Sequence, residues 1–125
     1  MNADASINDI LIVGTGGFLG AIARYQTVSL ITSPLGTLCV NVIGSFLLAV
    51  MMYDTEYLGF VPSRSRMALG IGFLGSYTTF STFAMETSQM FTFTAALNIV
   101  ANVGLTLIAV FLGRGFIIYL SRMGR

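Results

Sequence analysis

Four hydrophobic stretches run through the chain, and short polar connections separate them. A hydrocarbon core about 30 Å thick is crossed by about 20 helical residues, which matches the length of each stretch. The pattern therefore predicts four transmembrane helices, over residues 7–31, 35–53, 66–91 and 95–120. Residues 54–66 form the most polar connection, and a short turn is expected near 92–94. We expect residues 1–125 to form a single four-helix subunit of the all-α membrane class.

The third hydrophobic stretch is interrupted by residues 72–83, which include two glycines and five Ser or Thr residues. In lipid, a backbone polar group without a partner costs several kcal/mol. Irregular backbone at membrane depth is therefore tolerated mainly where it lines a cavity or binds a ligand. We predict that the third helix is broken in the middle of the membrane and that the break is functional.

Two rows of polar side chains repeat at intervals of four residues, which places each row on one helix face. The rows consist of Thr37, Asn41 and Ser45 on the second predicted span and Asn98, Asn102 and Thr106 on the fourth. The rows could form ordinary interhelical hydrogen bonds, which are worth about 0.6 kcal/mol each. They could also face a common aqueous path, and two rows beside a broken helix favour this second interpretation.

Two phenylalanines, Phe80 and Phe83, are three residues apart and share a helix face just after the predicted break. An aromatic ring has a positive edge, so two ring edges beside donors from Asn41 would favour a small anion. The alternative is that both rings simply face the protein core or the lipid.

Two charged residues lie inside the predicted spans. Arg24 could extend to the lipid headgroups or draw anions into a vestibule. Glu86 lies about 12 Å from the midpoint of its span, so we expect it near the membrane interface and solvated.

The composition supports a membrane protein, since 55% of the residues are apolar and only 9% are charged. A soluble domain carries about 25% charged residues. The net charge of +1 gives no basis for nucleic-acid binding. Cys39 is the single cysteine, which excludes an intrachain disulfide, and the chain has no histidine. Without a nucleophile paired with a base, we do not expect an enzyme.

The distribution of arginine indicates the orientation in the membrane. Four spans place both termini and the connection at 54–66 on the same side. That side carries Arg64, Arg66, Arg122 and Arg125, whereas the opposite side offers Arg24. The positive-inside rule then predicts cytoplasmic termini. The N-terminal residues carry no positive charge, so we expect the first span to be retained rather than cleaved as a signal peptide.

Three motifs of the chain resemble those of the fluoride channels called Fluc or CrcB. They occupy residues 17–25, 36–44 and 72–83 and read GFLGAIARY, GTLCVNVIG and GFLGSYTTFSTF. The resemblance extends from Gly14 to about Gly113. It implies an antiparallel, dual-topology dimer with two fluoride pores along the subunit interface and a central structural sodium ion.

The resemblance also assigns roles to individual residues. The pore asparagine and the paired pore phenylalanines correspond to Asn41, Phe80 and Phe83. The backbone carbonyls of the sodium site correspond to Gly75 and Thr78, and the vestibule arginine corresponds to Arg24. Further contributors to the fluoride pore are expected at Thr37, Thr79, Ser81, Thr82, Asn98, Asn102 and Thr106. The two asparagines on the fourth span depart from the family, which usually has aromatic or hydroxylated residues there.

These features predict a passive, fluoride-selective channel in the inner cell membrane that exports cytoplasmic fluoride and relieves its toxicity. The expected partners are fluoride, membrane lipid and a second copy of the chain. Because the arginine bias is four against one, the alternative partner is a related chain of opposite bias. One alternative function is a proton-coupled exporter that resembles small multidrug transporters and uses Glu86. Another is a structural membrane subunit, which would need neither polar rows nor a break.

Overall fold

The computed structural model describes residues 6–123, and all regular secondary structure in that range is helical. Residues 1–5 and 124–125 lie outside the described range. They include Arg125 and the N-terminal residues on which the expectation of an uncleaved first span rests. The helices are α1 (Ile7–Leu30), α2 (Leu35–Tyr57), α3 (Ser63–Arg66), α4 (Gly75–Tyr77), α5 (Phe80–Ser88) and α6 (Thr92–Met123). A π-helical segment, Met67–Leu74, joins α3 to α4.

Three of these helices, α1, α2 and α6, are long and apolar enough to cross a membrane. The region predicted as the third span is helical too, but it is divided into α3, the π-helical segment, α4 and α5. The exposed surface of the described residues is rich in large apolar side chains, as expected for helices that face lipid.

The long helices α2 and α6 run parallel to each other. Asn41 contacts Asn102 near one end of the pair, and the guanidinium group of Arg114 lies 5.5 Å from the ring centroid of Tyr53 near the other. Both helices therefore advance in the same direction along the pair. Because two consecutive long helices point the same way, the chain between them has to run back across the fold.

Close backbone contact joins α1 to the π-helical segment. A Cβ atom added to Gly16 would collide with the carbonyl oxygen of Ala68, and one added to Gly20 would collide with that of Phe73. Both glycines are buried. The spacing of four residues between small side chains thus serves close helix packing.

Two connections differ from the sequence prediction. The turn expected near 92–94 lies earlier, because α6 already begins at Thr92. Residues 54–57 belong to α2 rather than to a loop. The carboxylate of Asp54 is buried and accepts a hydrogen bond from the backbone N–H of Val61 at 2.8 Å, which ties the end of α2 to the following loop.

We expect Gly16→Ala to destabilise the protein and Gly14→Ala to be neutral or slightly stabilising. Both substitutions improve helix propensity to the same extent, but only the first places a methyl group against backbone that cannot rotate away. Overpacking of this kind costs about 1–3 kcal/mol. Thermal unfolding midpoints of the two variants in detergent measure the difference, and equal midpoints would contradict the close contact.

Candidate functional site

The predicted helix break is present and lies at two threonines. The helix α4 ends at Tyr77, α5 begins at Phe80, and the backbone of Thr78 and Thr79 between them is extended. The N–H of Thr78 still donates to the carbonyl of Leu74, whereas that of Thr79 leaves the helical pattern. The prediction of an interrupted helix is therefore confirmed, and the interruption is two residues long.

Asn41 on α2 holds the extended backbone in place. Its side-chain oxygen accepts the backbone N–H of Thr79 at 2.8 Å, and its Nδ2 donates to the carbonyl of Thr79 at 3.1 Å. This reciprocal pair resembles the pairing of neighbouring strands. The same Nδ2 also donates to Oδ1 of Asn102 at 3.1 Å. Asn41 was expected to offer a donor to an anion, but both of its N–H groups are already donated within the chain.

The side chain of Thr79 begins α5. Its hydroxyl oxygen accepts the backbone N–H of Thr82 at 3.3 Å, donates to the Thr82 hydroxyl at 3.0 Å, and lies 3.4 Å from the hydroxyl of Ser81. This is the usual role of a helix N-cap residue. Ser81 and Thr82 therefore belong to the cap of α5. Neither side chain lines the groove that lies beside the break, which is described next.

A groove of about 320 Å³ lies beside the break and opens at the surface of the protein. Its lining consists of Asn41, Ser45, Thr78, Thr79, Phe80, Phe83, Asn102, Val103, Thr106 and Leu107. The rings of Phe80 and Phe83 are tilted by 59° with centroids 5.7 Å apart. Phe83 is buried, whereas 77% of Phe80 is exposed. The structure thus gathers Asn41, the two phenylalanines, Asn102 and Thr106 around one groove. The two polar rows meet through an interhelical hydrogen bond between Asn41 and Asn102, and two members of each row line the groove.

Two hydroxyl groups in the groove remain available as donors. Among the hydrogen bonds of residues 6–123, none involves the hydroxyl of Ser45 or Thr106. Asn102 uses one of its two N–H groups, which donates to Asn98, so the second is also available. The lining therefore combines uncharged donors with aromatic rings, which suits a small anion better than a cation.

Glu86 lies in a separate polar cluster. One of its carboxylate oxygens accepts hydrogen bonds from the hydroxyls of Ser33 at 2.6 Å and Thr37 at 2.9 Å. Its other oxygen is buried and has no hydrogen-bond partner among residues 6–123. Glu86 is half-buried, so the expected solvation is only partial: the hydroxyl just before α2 and the one in its first turn bind one oxygen of the carboxylate. Thr37 is fully buried in this cluster and does not reach the groove.

Asn98 lies behind the groove rather than in its lining. It accepts a hydrogen bond from Asn102 at 3.1 Å and donates to the hydroxyl of Thr87 at 2.8 Å. The sequence prediction did not include Thr87. The only signal was its position four residues after Phe83, whose carbonyl accepts the Thr87 hydroxyl at 2.7 Å.

The half-buried guanidinium group of Arg24 reaches the break from α1. Its Nη1 donates to the carbonyl of Thr78 at 3.3 Å. The carbonyl of Gly75 is released from the helical pattern, because the N–H of Thr79 that would continue the pattern is donated to Asn41. Of the two carbonyls expected from the family resemblance, that of Thr78 lies in the break and contacts a positive charge, and that of Gly75 lies at the start of α4, just before the break.

Comparison with known proteins gives a consistent result. A family model described as "CrcB-like protein, Camphor Resistance (CrcB)" matches residues 11–114. The chain is 50% identical over 118 residues to "Fluoride-specific ion channel FluC 2" of Methanosarcina acetivorans, with 94% of each chain covered. It is 43% identical over 116 residues to "Fluoride-specific ion channel FluC 1" of the same organism, covering 84% of this chain and 87% of that one. It is also 41% identical over 116 residues to "Fluoride-specific ion channel FluC" of Methanocaldococcus jannaschii, covering 86% and 93%.

We expect Asn41→Ala to loosen the break, because it leaves the N–H and C=O of Thr79 without their side-chain partner. An unsatisfied buried group costs about 1–3 kcal/mol. Hydrogen exchange of residues 77–82, measured by mass spectrometry in detergent, should become faster. Ser45→Ala, one helical turn away in the same groove, is the matched control and should leave exchange unchanged. Equal protection in Asn41→Ala and the wild type would contradict the role of Asn41.

Proposed function

Because the chain belongs to the CrcB family, we propose that it is a passive, fluoride-selective channel that exports cytoplasmic fluoride. The protein is a multi-pass membrane protein of a family of ion channels, not of enzymes. The observation that carries the proposal is the groove beside the helix break. It joins two aromatic rings to hydroxyl and amide donors that the chain itself leaves unused.

The chemistry of the groove fits fluoride. The ion is small and strongly hydrated, so a path through the protein has to replace its water with other donors. The hydroxyls of Ser45 and Thr106 and the second N–H of Asn102 are suitable donors, and the rings of Phe80 and Phe83 offer positive edges. All of the lining residues are uncharged, so an ion can bind without being held too tightly to leave.

We propose that residues 63–88 form a fourth membrane crossing. The parallel direction of α2 and α6 supports this, because the chain between them has to return across the fold. The extended Thr78 and Thr79 would then lie within the membrane, where the partners supplied by Asn41 replace the water that is absent there.

We also propose that a second copy of the chain, in the opposite orientation, completes the pore. The groove is open on one side and Phe80 is largely exposed there, so a single chain does not enclose an ion. A paralogue is the alternative partner, and relatives named FluC 1 and FluC 2 occur together in Methanosarcina acetivorans. The homodimer is the simpler assembly and is our first choice.

The broken segment has ligands of the right type for the expected sodium ion. Backbone carbonyl oxygens are hard ligands that suit such a cation, and the carbonyl of Gly75 is free of its helical partner. The carbonyl of Thr78 is the second expected ligand, and Arg24 has to release it or share it. When bound there, sodium supplies a fixed positive charge at the dimer interface.

The exporter alternative gains no support from the structure. Such a mechanism uses a carboxylate that meets both proton and substrate along the path. Glu86 instead binds two hydroxyls in a cluster outside the groove. A purely structural subunit would not need the unused donors of the groove.

Liposomes that contain only this polypeptide should release fluoride rapidly and chloride far more slowly. The expected selectivity follows from a narrow path whose donors match a small anion. A fluoride electrode measures the efflux, which starts when a potassium ionophore lets K⁺ leave together with the anion and so prevents an opposing membrane potential. Equal fluoride and chloride fluxes from well-folded protein would contradict the proposal. Efflux only after a paralogue is added would replace the homodimer with a heterodimer.

Replacing Phe80 or Phe83 with isoleucine should slow fluoride efflux while the protein still assembles. The loss of a ring edge is worth about 0.5–1.5 kcal/mol, or roughly a two- to tenfold decrease in rate. Phe93→Ile is the matched control, because Phe93 is as exposed as Phe80 but lies outside the groove. Size-exclusion profiles check assembly. Unchanged efflux in both groove variants would remove the rings from the proposed pore.

A further inference from the structure

A chain of hydrogen bonds leads from the helix break into α6. The backbone N–H of Thr79 donates to Oδ1 of Asn41 at 2.8 Å. Nδ2 of Asn41 donates to Oδ1 of Asn102 at 3.1 Å. Nδ2 of Asn102 donates to Oδ1 of Asn98 at 3.1 Å. Each side chain therefore accepts from the previous group and donates to the next.

The chain of hydrogen bonds then returns to α5. Nδ2 of Asn98 donates to the hydroxyl of Thr87 at 2.8 Å, and that hydroxyl donates to the carbonyl of Phe83 at 2.7 Å. Both Thr87 and Phe83 lie on α5. We use the name amide relay for the side chains of Asn41, Asn102, Asn98 and Thr87.

The direction of the amide relay is fixed at its first member. A backbone N–H can only donate, so Asn41 has to present its oxygen to Thr79 and its NH₂ group to Asn102. Asn102 then has to present its oxygen to Asn41 and its NH₂ group to Asn98. A reversed amide at any position would place two donors or two acceptors against each other. Hydrogen bonds that point the same way strengthen one another in a low dielectric.

The members of the amide relay on α6 are shielded from solvent. Asn102 is 4% exposed and Asn98 is 8% exposed. A buried amide that loses its partner keeps the full cost of desolvation. A gap in the middle of the relay therefore affects both neighbours of the missing side chain, and its effect extends towards Thr79.

The amide relay is also a main attachment of α5 to the rest of the protein. The helix has nine residues, and Phe83 is its only buried side chain. The relay links both Thr79, which caps α5, and Thr87 in its last turn to α6. Phe80 and Phe83 both lie on α5, so their position over the groove depends on this link together with the hydrogen bonds that Glu86 accepts from Ser33 and Thr37.

We propose that Asn98 is a positioning residue, which fixes the amide of Asn41 through Asn102 and holds α5 over the groove. Asn98 thereby acts on the aromatic rings without contacting the transported ion. This inference deepens the proposed channel function. The effect on fluoride transport rests on that function, whereas the support of the helix break by Asn98 does not. It also explains why Asn98 and Asn102 can occupy positions on α6 where the family was expected to have aromatic or hydroxylated residues.

The test uses Asn98→Leu, which keeps the number of side-chain heavy atoms and the branch at Cγ and removes both hydrogen bonds. We expect hydrogen exchange of residues 77–83 in detergent to become faster by about tenfold, the effect of losing one buried hydrogen bond. Fluoride efflux should decrease in the same variant. Combined with Asn41→Ala, the substitution should add little, because the relay is already interrupted. Thr94→Val, one turn earlier on α6, changes an exposed side chain that takes no part in the relay, so it is the matched control and should leave both measurements unchanged.

Two outcomes would overturn the inference. Unchanged exchange of residues 77–83 in Asn98→Leu would show that Asn98 does not hold the break. A decrease in fluoride efflux with unchanged exchange would show that Asn98 acts on the ion directly. If the wild type carries no fluoride at all, the proposed function fails, while the exchange measurement still decides whether the amide relay exists.

A milder pair of variants covers the case in which Asn98→Leu does not fold. Thr87→Val removes the last hydroxyl of the relay, whereas Thr87→Ser keeps it. We expect faster exchange of α5 in Thr87→Val and wild-type exchange in Thr87→Ser. Equal exchange in Thr87→Val and the wild type would count against the relay as firmly as the first experiment.

Discussion

A helix that stops in an apolar environment leaves backbone N–H and C=O groups without partners. In this protein, surrounding polar side chains form hydrogen bonds with those groups. Asn41 satisfies both polar groups of Thr79, and Arg24 contacts the carbonyl of Thr78. The unused donors of the groove come from other side chains, such as Thr106. The polar residues near the break therefore divide into those that support the backbone and those that remain available to a ligand.

Glycines bring the neighbouring helices close enough for this support. A Cβ atom at Gly44 of α2 would collide with the side chain of Thr78 and meet the ring of Tyr77. Because Gly44 is three residues after Asn41, both lie on the same face of α2. The glycine allows the break to approach α2, and the asparagine then binds it. On the opposite side, Gly16 and Gly20 hold the π-helical segment against α1, so the segment that leads into the break is fixed as well.

Spacing and composition were sufficient to predict the features that depend on local sequence. Intervals of four residues predicted that Asn41 and Asn102 each belong to a polar row on one helix face, and the glycines and hydroxyls of residues 72–83 predicted the break. The partial burial of Glu86 depends on hydroxyls about fifty positions away in the chain, so it carries no local signal. The π-helical segment packs closely on α1, and the spacing of residues 67–74 gave no sign of it.

The charge distribution around the groove suggests how the proposed channel favours an anion without binding it tightly. A charged side chain in the lining would attract fluoride but also retain it. Here the positively charged Arg24 does not line the groove. Its guanidinium group instead contacts the carbonyl of Thr78, which is a lining residue. The N-terminal end of α5, capped by Thr79, contributes the positive end of a helix dipole at the same place. Both fields act through a neutral lining, so the donors that touch the ion can stay weak enough to release it.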